Sequence, residues 1–197
     1  IRGKTLEITH AGDKSLTIFD PPRAVKGTAF PSSTHALESD EQWLYLPALK
    51  RVKRISSSNK PGPFMGSAFA YEDISSQEVA KYKYKFIRAD QFNGRDVFVI
   101  ERYPQYKKSG YTKQISWLDK KMYQPLKIEF YDRKKSLLKT LTQHDYKQHL
   151  DKYWRSSRLE MVNHQTGKST TLLGQSYKFK NGFRVRDFDR NSLKRAR

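Results

Sequence analysis

The sequence predicts a mainly β protein, an antiparallel meander whose strongly curved sheet closes partly or fully into a barrel. Three observations predict this class: apolar and polar residues alternate along short segments, tight-turn signals separate these segments, and helix-forming stretches are scarce. Aromatic residues make up 13% of the 197 residues, although the hydrophobic fraction is only 36%. This composition suits a sheet with large flat side chains on one face and water on the other.

Period-two alternation is clearest in residues 81–86, where lysines and aromatic residues take turns. Each of the two classes therefore falls on one face of a strand. The same alternation predicts strands at residues 126–130, 177–180 and 183–186. Shorter apolar runs predict further strands at residues 4–9, 15–20, 27–30, 96–103, 112–118, 137–142, 158–163 and 169–173.

Turns and helices complete the predicted topology. Asn93-Gly94 and Asn181-Gly182 predict two-residue hairpin turns, because both central positions of such turns need a positive φ. Helix is predicted only near residues 73–79, with Ser75 or Ser76 as the cap, and for the basic tail at residues 189–197, capped by Asp189. We find no internal repeat and no linker, so residues 1–197 are predicted to form a single domain.

Basic residues outnumber acidic ones by 39 to 20, which gives a formal net charge of +19. Such a field attracts polyanions: nucleic acid, anionic lipid headgroups or acidic proteins. The alternative is that lysine and arginine simply occupy the outer faces of strands, and the even spread of the charges favours it. The sequence has no cysteine, which excludes disulfides and thiolate metal sites. No apolar run approaches the roughly 20 residues of a membrane-spanning helix.

Signals for catalysis are weak. Gly167-Lys168-Ser169 resembles the end of a phosphate-binding loop, but Val162 stands where the first glycine is needed, and the segment lies between predicted strands. His144 and His149 lack the spacing of a paired metal site. No nucleophile elbow of the GxSxG kind is present. The sequence therefore predicts a binding protein rather than an enzyme, with no cofactor and no metal.

Residues 40–73 combine two short strand candidates with a long loop that is rich in apolar side chains. Trp43-Leu44-Tyr45-Leu46 forms the first strand candidate, and the basic segment at residues 50–54 returns after Pro47. Loops normally run over the surface, because buried loop backbone is hard to satisfy. A loop with this many large apolar groups is expected to cover something or to bind something.

This stretch resembles the LolA-like outer-membrane lipoprotein-sorting proteins of bacteria. The resemblance covers nearly the whole chain. The matching motifs are Trp43-Leu44-Tyr45-Leu46-Pro47, Leu49-Lys50-Arg51-Val52, Gly62-Pro63-Phe64-Met65-Gly66-Ser67, Tyr71-Glu72-Asp73, Asp13-Lys14-Ser15-Leu16, Glu101-Arg102-Tyr103-Pro104, Glu129-Phe130-Tyr131-Asp132, residues 161–170 and Asn191-Ser192-Leu193.

LolA-like proteins are built as an incomplete, half-open antiparallel barrel, with a few short helices and loops as a lid over a hydrophobic cavity for acyl chains. The resemblance therefore implies a carrier in the periplasm of a Gram-negative bacterium that shelters the acyl chains of a lipid or lipoprotein during transport towards the outer membrane. It also implies a cleaved export signal and further structure before Ile1. An inner-membrane transporter of the resistance-nodulation-division type is an expected partner, with transient contact to the membrane surface.

Two sets of residues are predicted to bind the ligand. The cavity and its lid are predicted to contain Trp43, Tyr45, Leu46, Phe64, Met65, Phe69, Tyr71, Tyr84, Phe86, Phe98, Ile100, Trp117, Ile128 and Phe130. Anionic headgroups or an acidic partner are predicted to contact Lys50, Arg51, Lys53 and Arg54. The alternatives are an ordinary filled core, a loop packed across one end of the barrel, and a solvated edge strand that discourages pairing between molecules.

Two other functions compete with the carrier. A basic nucleic-acid-binding barrel would use aromatic residues interleaved with lysines, as in residues 81–86, for stacking and phosphate contacts. Strict alternation places these two classes on opposite faces, however, and no recognised nucleic-acid-binding motif is present. The other alternative is a structural envelope protein that binds a partner through an exposed strand edge. Nucleic acid is therefore not the expected partner.

Overall fold

The computed structural model describes residues 2–6, 14–18, 28–33, 41–49, 51–75 and 77–188. The chain forms two compact units. The five-strand unit comprises residues 1–60, 71–81 and 178–197, and the seven-strand unit comprises residues 61–70 and 82–177. The single domain expected over residues 1–197 stays a prediction.

The five-strand unit contains one antiparallel sheet whose strands follow one another in chain order. A short helix, α1 (Tyr71–Ile74), belongs to the same unit. The strands are β1 (Arg2–Leu6), β2 (Lys14–Ile18), β3 (Ala29–Ser33), β4 (Glu41–Leu46) and β5 (Arg51–Arg54).

Both faces of the five-strand sheet are covered. On one face, Leu16 and Ala29 are buried with Phe188 from a short 3-10 helix, Val185–Phe188. On the other face, the ring of Phe30 lies 5.5 Å from that of Tyr71 in α1. This arrangement explains why apolar residues occur at both parities in these strands rather than in strict alternation.

The seven-strand unit contains an antiparallel meander in which every strand pairs with its neighbour in the chain. The first and the last strand of this unit are the two edge strands, so the sheet is open. The strands are β6 (Tyr82–Phe92), β7 (Arg95–Pro104), β8 (Lys113–Asp119), β9 (Pro125–Tyr131), β10 (Leu137–His149), β11 (Tyr153–Asn163) and β12 (Ser169–Leu173).

The mainly β, antiparallel class predicted from the sequence is confirmed, and neither sheet closes into a barrel within the described residues. The two-residue turn between β6 and β7 is also confirmed, with φ of 49° at Asn93 and 73° at Gly94. Many strands run further than the apolar runs suggested, because pairing with a neighbour continues after the apolar pattern ends. No helix in the described part of the chain has the length and apolarity needed to cross a membrane.

The strands predicted at residues 177–180 and 183–186 do not form. Tyr177 instead turns back over Gly174, where a Cβ atom would lie only 2.8 Å from the Tyr177 hydroxyl. That hydroxyl donates a hydrogen bond to the carbonyl oxygen of Ser156 at 2.6 Å. The alternation in this segment therefore reflects individual side-chain contacts rather than a sheet.

The predicted bounds of the helix at residues 73–79 are also wrong. The helix that forms, α1, begins at Tyr71 and ends at Ile74. The Ser75 hydroxyl donates a hydrogen bond to the carbonyl oxygen of Tyr71 at 3.2 Å, which satisfies one end of this single turn. The helix predicted for residues 189–197 lies outside the described residues.

Candidate functional site

One face of the seven-strand sheet carries a continuous row of mostly apolar side chains. Residues that lie directly opposite one another in neighbouring antiparallel strands project to the same face. The strand register therefore joins β6 to β11 through Phe86, Ile100, Ser116, Ile128, Leu141 and Met161. We call the face that carries this row the apolar face.

The apolar face is buried in its middle and open at β6. Ile128 and Phe130 in β9 are only 6% and 3% exposed, whereas Phe86 and Tyr84 in β6 are 60% and 45% exposed. The ring of Phe86 contacts that of Phe98 edge-on, with centroids 6.3 Å apart. An aromatic surface therefore continues from the buried centre of the sheet to water.

A loop at residues 61–70, here called the covering loop, is closed by its own backbone. Pro63 and Ala70 form an antiparallel bridge, and the N–H of Phe64 donates to the carbonyl oxygen of Phe69 at 2.7 Å. The side chains of Phe64 and Phe69 are buried. The turn is reached through left-handed backbone at Met65, where φ is 48°, and at the following Gly66, where φ is 74°.

Hydrogen bonds with Thr170, Lys139 and Lys168 attach the covering loop to the strands and turn around the apolar face. The N–H of Ala68 donates to the hydroxyl of Thr170 at 3.0 Å, and the ammonium of Lys139 donates to the carbonyl oxygen of Ala68 at 3.4 Å. The ammonium of Lys168 donates to the carbonyl oxygen of Gly66 at 2.9 Å. Thr170 lies opposite Met161, so the loop lies over the apolar face near β10, β11 and β12.

Beside the apolar row runs a second row that contains polar groups. It joins Tyr84, Arg102, Gln114, Phe130 and Lys139 on five successive strands. The Arg102 guanidinium lies 4.9 Å from the centre of the Tyr82 ring. The Lys139 ammonium, on a side chain that is almost fully buried, lies 5.4 Å from the centre of the Phe130 ring.

Sequence reasoning did not single out Arg102, Gln114 and Lys139, which the structure places on the apolar face. Arg102 follows Phe98 and Ile100 at a spacing of two, which puts it on their face. The sequence did contain a signal for Arg102. It is a charged residue at a position of β7 where the alternation calls for an apolar one, and this strand was predicted correctly. Gln114 and Lys139 could not be placed in the same way, because only the register brings them beside Arg102.

Trp117, a predicted cavity residue of β8, does not lie on the apolar face. It lies opposite Val99 and Lys127, on the face that Phe98 and Ile100 do not share. There it packs against the buried cluster that contains Val97 and Val99, and the Lys127 ammonium lies 4.1 Å from the centre of its ring. Period-two alternation in β8 was predicted correctly, but the face that meets the apolar row is the one with Gln114 and Ser116.

The face opposite the apolar face carries paired charges. The Lys113 ammonium lies 2.7 Å from the carboxylate of Glu101, and Tyr103 donates a short hydrogen bond to the same carboxylate. The hydrogen bond from Lys113, followed by that from Tyr103, holds the pKa of Glu101 below its ordinary value. The face opposite the apolar face therefore carries paired charges near Glu101 as well as the buried cluster that contains Val97 and Val99.

The remaining predicted ligand residues belong to the five-strand unit. Tyr45 packs against the buried cluster of Leu16, Ala29 and Phe188, and Tyr71 packs on Phe30. Leu46 and Trp43 are half-buried in β4. Within the five-strand unit, Tyr45 and Tyr71 therefore pack on opposite faces of the sheet.

The basic segment is exposed where the structure describes it. The side chains of Arg51, Lys53 and Arg54 in β5 are open to water, and the Arg54 guanidinium lies 5.6 Å from the centre of the Trp43 ring. Lys50 lies outside the described residues.

Histidine and carboxylate side chains do not build a metal site among the residues that the structure describes. His144 contacts the Glu160 carboxylate at 3.0 Å, and the ring of His149 packs against that of Tyr177 at 5.3 Å. His144 and His149, the two histidines considered as a metal pair, therefore contact different residues.

Comparison with known proteins places the chain in a family. A family model described only as an uncharacterized protein matches residues 11–195. A solved structure from Vibrio parahaemolyticus, described as an outer membrane lipoprotein-sorting protein domain, is 60% identical, with a TM-score of 0.96 over 98% of this chain and 82% of that one. No curated protein matches the sequence.

Two further solved structures share the fold. A DUF1329 family protein from Desulfovibrio piger is 27% identical, with a TM-score of 0.90 over 97% of this chain and 81% of that one. A LolA superfamily protein from Nitrosomonas europaea is 20% identical, with a TM-score of 0.72 over 96% of this chain and 88% of that one, and at this identity the likeness concerns the fold alone. The chain belongs to the LolA-like family of outer-membrane lipoprotein-sorting proteins.

Proposed function

We propose that this protein is a periplasmic carrier that shelters the acyl chains of a lipid or lipoprotein on the way to the outer membrane. The observation that carries the proposal is the apolar face, which runs from the buried Ile128 to the 60% exposed Phe86. Large apolar groups that remain in contact with water at the edge of a continuous apolar surface are typical of binding sites for greasy ligands.

The covering loop supports this proposal. It carries Phe64 and Phe69 over the apolar face and is attached there by Lys139 and Thr170. The flexible thioether of the half-buried Met65 suits contact with alkyl chains of varied shape. The loop is therefore proposed as the lid over the bound chain.

The energetics suit reversible carriage. Each buried CH₂ group contributes about 0.8 kcal/mol, so one acyl chain on the apolar face gives substantial binding that a competing membrane can reverse. No covalent step is needed for this activity, and we propose no catalytic residue.

The excess of positive charge gives the carrier a natural attraction to anionic surfaces. With a net charge of +19, the protein is drawn towards membranes that contain anionic lipids. The exposed Arg51, Lys53 and Arg54, together with the adjacent Lys50, are proposed to contact lipid headgroups or an acidic partner. An inner-membrane transporter of the resistance-nodulation-division type is the proposed donor of the cargo.

Nucleic acid is not a proposed partner. Tyr84 and Phe86 lie on the apolar face, whereas Lys83 and Lys85 pair with Tyr103 and Glu101 on the other. A stacking platform for single strands needs the aromatic rings and the phosphate contacts on the same surface.

Native mass spectrometry with organic extraction tests the carrier function. The protein is exported to the periplasm and purified without detergent, and co-purifying acyl lipid is measured. We expect bound lipid in the natural protein and its loss in Phe86→Asp, because a carboxylate on the apolar face opposes burial of an alkyl chain. The matched control is Tyr123→Asp, which changes an aromatic residue that is 70% exposed in a turn.

The outcomes separate the alternatives. Lipid that is lost only in Phe86→Asp supports the carrier. A natural protein that is empty and also ignores added lipid contradicts it. Lipid that is equally lost in Tyr123→Asp would show that the added charge acts without regard to position, and would also count against the apolar face.

A further inference from the structure

The second row on the apolar face contains two buried polar atoms without a hydrogen-bond partner. Neither the Oε1 atom of Gln114 nor the Nε atom of Arg102 has a partner among the residues that the structure describes. Gln114 is only 2% exposed. Buried polar atoms are almost always hydrogen-bonded in folded proteins, and each exception calls for a physical explanation.

The two atoms belong to facing residues. Arg102 in β7 and Gln114 in β8 are direct partners in the strand register, so their side chains leave the same face side by side. Nε of arginine is a donor, and Oε1 of glutamine is an acceptor. An unpaired donor and an unpaired acceptor therefore lie next to each other within an apolar surface.

The surroundings favour a ligand that combines a polar group with an alkyl chain. On one side of the pair lie Ile100 and Ser116 of the apolar row, two residues along the same strands. Across the sheet, Tyr84 lies opposite Arg102 and is 45% exposed, so the row reaches water at β6. A chain on the apolar row would thus place the polar group at its end beside Arg102 and Gln114.

We infer that Arg102 and Gln114 form a polar subsite that binds a group with both a hydrogen-bond acceptor and a donor next to the acyl chain, as a secondary amide has. This inference rests on the proposed carrier function. The amide C=O accepts from Nε–H of Arg102, and the amide N–H donates to Oε1 of Gln114. A trans amide carries these two groups on opposite edges, so it bridges two side chains that flank it.

Ester and carboxylate groups can form a hydrogen bond with Arg102 but not with Oε1 of Gln114. An ester carbonyl accepts from Arg102 but offers no donor to Gln114, which leaves a buried acceptor unpaired. A carboxylate accepts from Arg102 and brings negative charge against the Gln114 oxygen. The subsite therefore selects amide-linked acyl chains over ester-linked chains and free fatty acids.

Binding of four probes with the same chain length tests this selection. N-methyldodecanamide has the acceptor and the donor, N,N-dimethyldodecanamide and methyl dodecanoate lack the donor, and dodecanoate is the anion. Dissociation constants are measured by isothermal titration calorimetry, below the concentration at which each probe aggregates. We expect N-methyldodecanamide to bind about tenfold more tightly than the two probes without a donor, as is typical for a buried acceptor left unpaired.

Two variants assign the preference to the pair. Gln114→Met keeps the length of the side chain and removes the acceptor, and Arg102→Lys keeps the positive charge and removes Nε–H. In either variant the preference for N-methyldodecanamide over the tertiary amide or the ester is expected to shrink to less than about threefold. The control is Gln148→Met, an exposed glutamine in β10, which is expected to keep the full preference.

The results distinguish this inference from the carrier function itself. If all four probes bind equally, the protein carries acyl chains but the polar subsite is wrong. If dodecanoate binds more tightly than N-methyldodecanamide, the pair favours an anion and the inference is overturned. If no probe binds, the carrier function fails as well.

Discussion

The ammonium of Lys139 lies 3.4 Å from the carbonyl oxygen of Ala68, a residue 71 positions earlier in the chain. The lysine side chain is almost fully buried and lies within 5.3 Å of the centre of the Tyr111 ring. This contact joins the covering loop to β10 on the apolar face. Phe64 and Phe69 of the same loop are buried, so its attachment combines this polar contact with packing.

Replacement of Lys139 by Met is expected to loosen the covering loop. Methionine has a similar length and fills the same space, but it cannot donate to the carbonyl oxygen of Ala68. Amide hydrogen exchange should accelerate in residues 61–70 and stay unchanged in the turn at Asn93 and Gly94. The contact would be unimportant for the loop if exchange in these residues did not change.

Alanine variants of Ile128 and Phe86 are expected to differ in stability, because Ile128 belongs to the core of the sheet and Phe86 to the proposed binding surface. Ile128→Ala removes a buried side chain and should lower the free energy of unfolding by about 2–4 kcal/mol. Phe86→Ala changes a side chain that is mostly exposed and should lower it by no more than about 1 kcal/mol. Denaturant unfolding measures both values. A large loss in Phe86→Ala would identify this residue as part of the core rather than of a binding surface.

Asp119 should make the stability of the seven-strand unit sensitive to acid. Burial acts to raise its pKa, but the N–H groups of Met122 and Lys121, together with Arg95 at 2.6 Å, outweigh burial and hold the pKa below its ordinary value. A carboxyl group with a lowered folded-state pKa stabilises the protein above its unfolded-state value, near 4, and loses this effect as the pH falls through the folded-state value.

Asp119→Asn is therefore expected to be less stable than the natural protein by about 1–3 kcal/mol at pH 7. The difference should shrink below about pH 4, where the natural carboxyl group also becomes neutral. Thermal unfolding of both proteins between pH 2 and pH 7 checks this expectation. A constant difference over the whole range would show that the charge of Asp119 contributes nothing.

Gln114→Met is expected to leave the empty protein as stable as before or more stable. The substitution removes a buried oxygen that has no partner among the described residues, and it keeps the volume of the side chain. A gain of about 1 kcal/mol would raise Tm by roughly 2–4 °C in a protein of this size. A clear fall in Tm would show that Oε1 of Gln114 contributes to stability in the empty protein, which would weaken its assignment to ligand binding.

Several features of this protein follow from local sequence alone. Alternation in residues 81–86 and 126–130 was enough to predict β6 and β9, because side chains in a strand alternate between faces. Asn93-Gly94 was enough to predict the hairpin between β6 and β7, because few residues adopt positive φ easily. The same pattern misled at residues 177–180, where Tyr177 turns back on Gly174.

Some features depended on contacts that local sequence does not contain. Alternation in β8 predicts two faces, but only pairing with β7 and β9 shows that Gln114 meets the apolar row and that Trp117 does not. The attachment of the covering loop depends on Lys139, a residue far away in the chain.

The sequence by itself determined most of the strands, the tight turn at Asn93-Gly94 and an apolar loop, since each depends on residues within a few positions of one another. Only the tertiary structure decided which residues are neighbours across strands, because register places Arg102 beside Gln114 through hydrogen bonding between strands and not through sequence spacing. Binding sites on a sheet are built from such cross-strand neighbours. The strands could therefore be predicted before the site could.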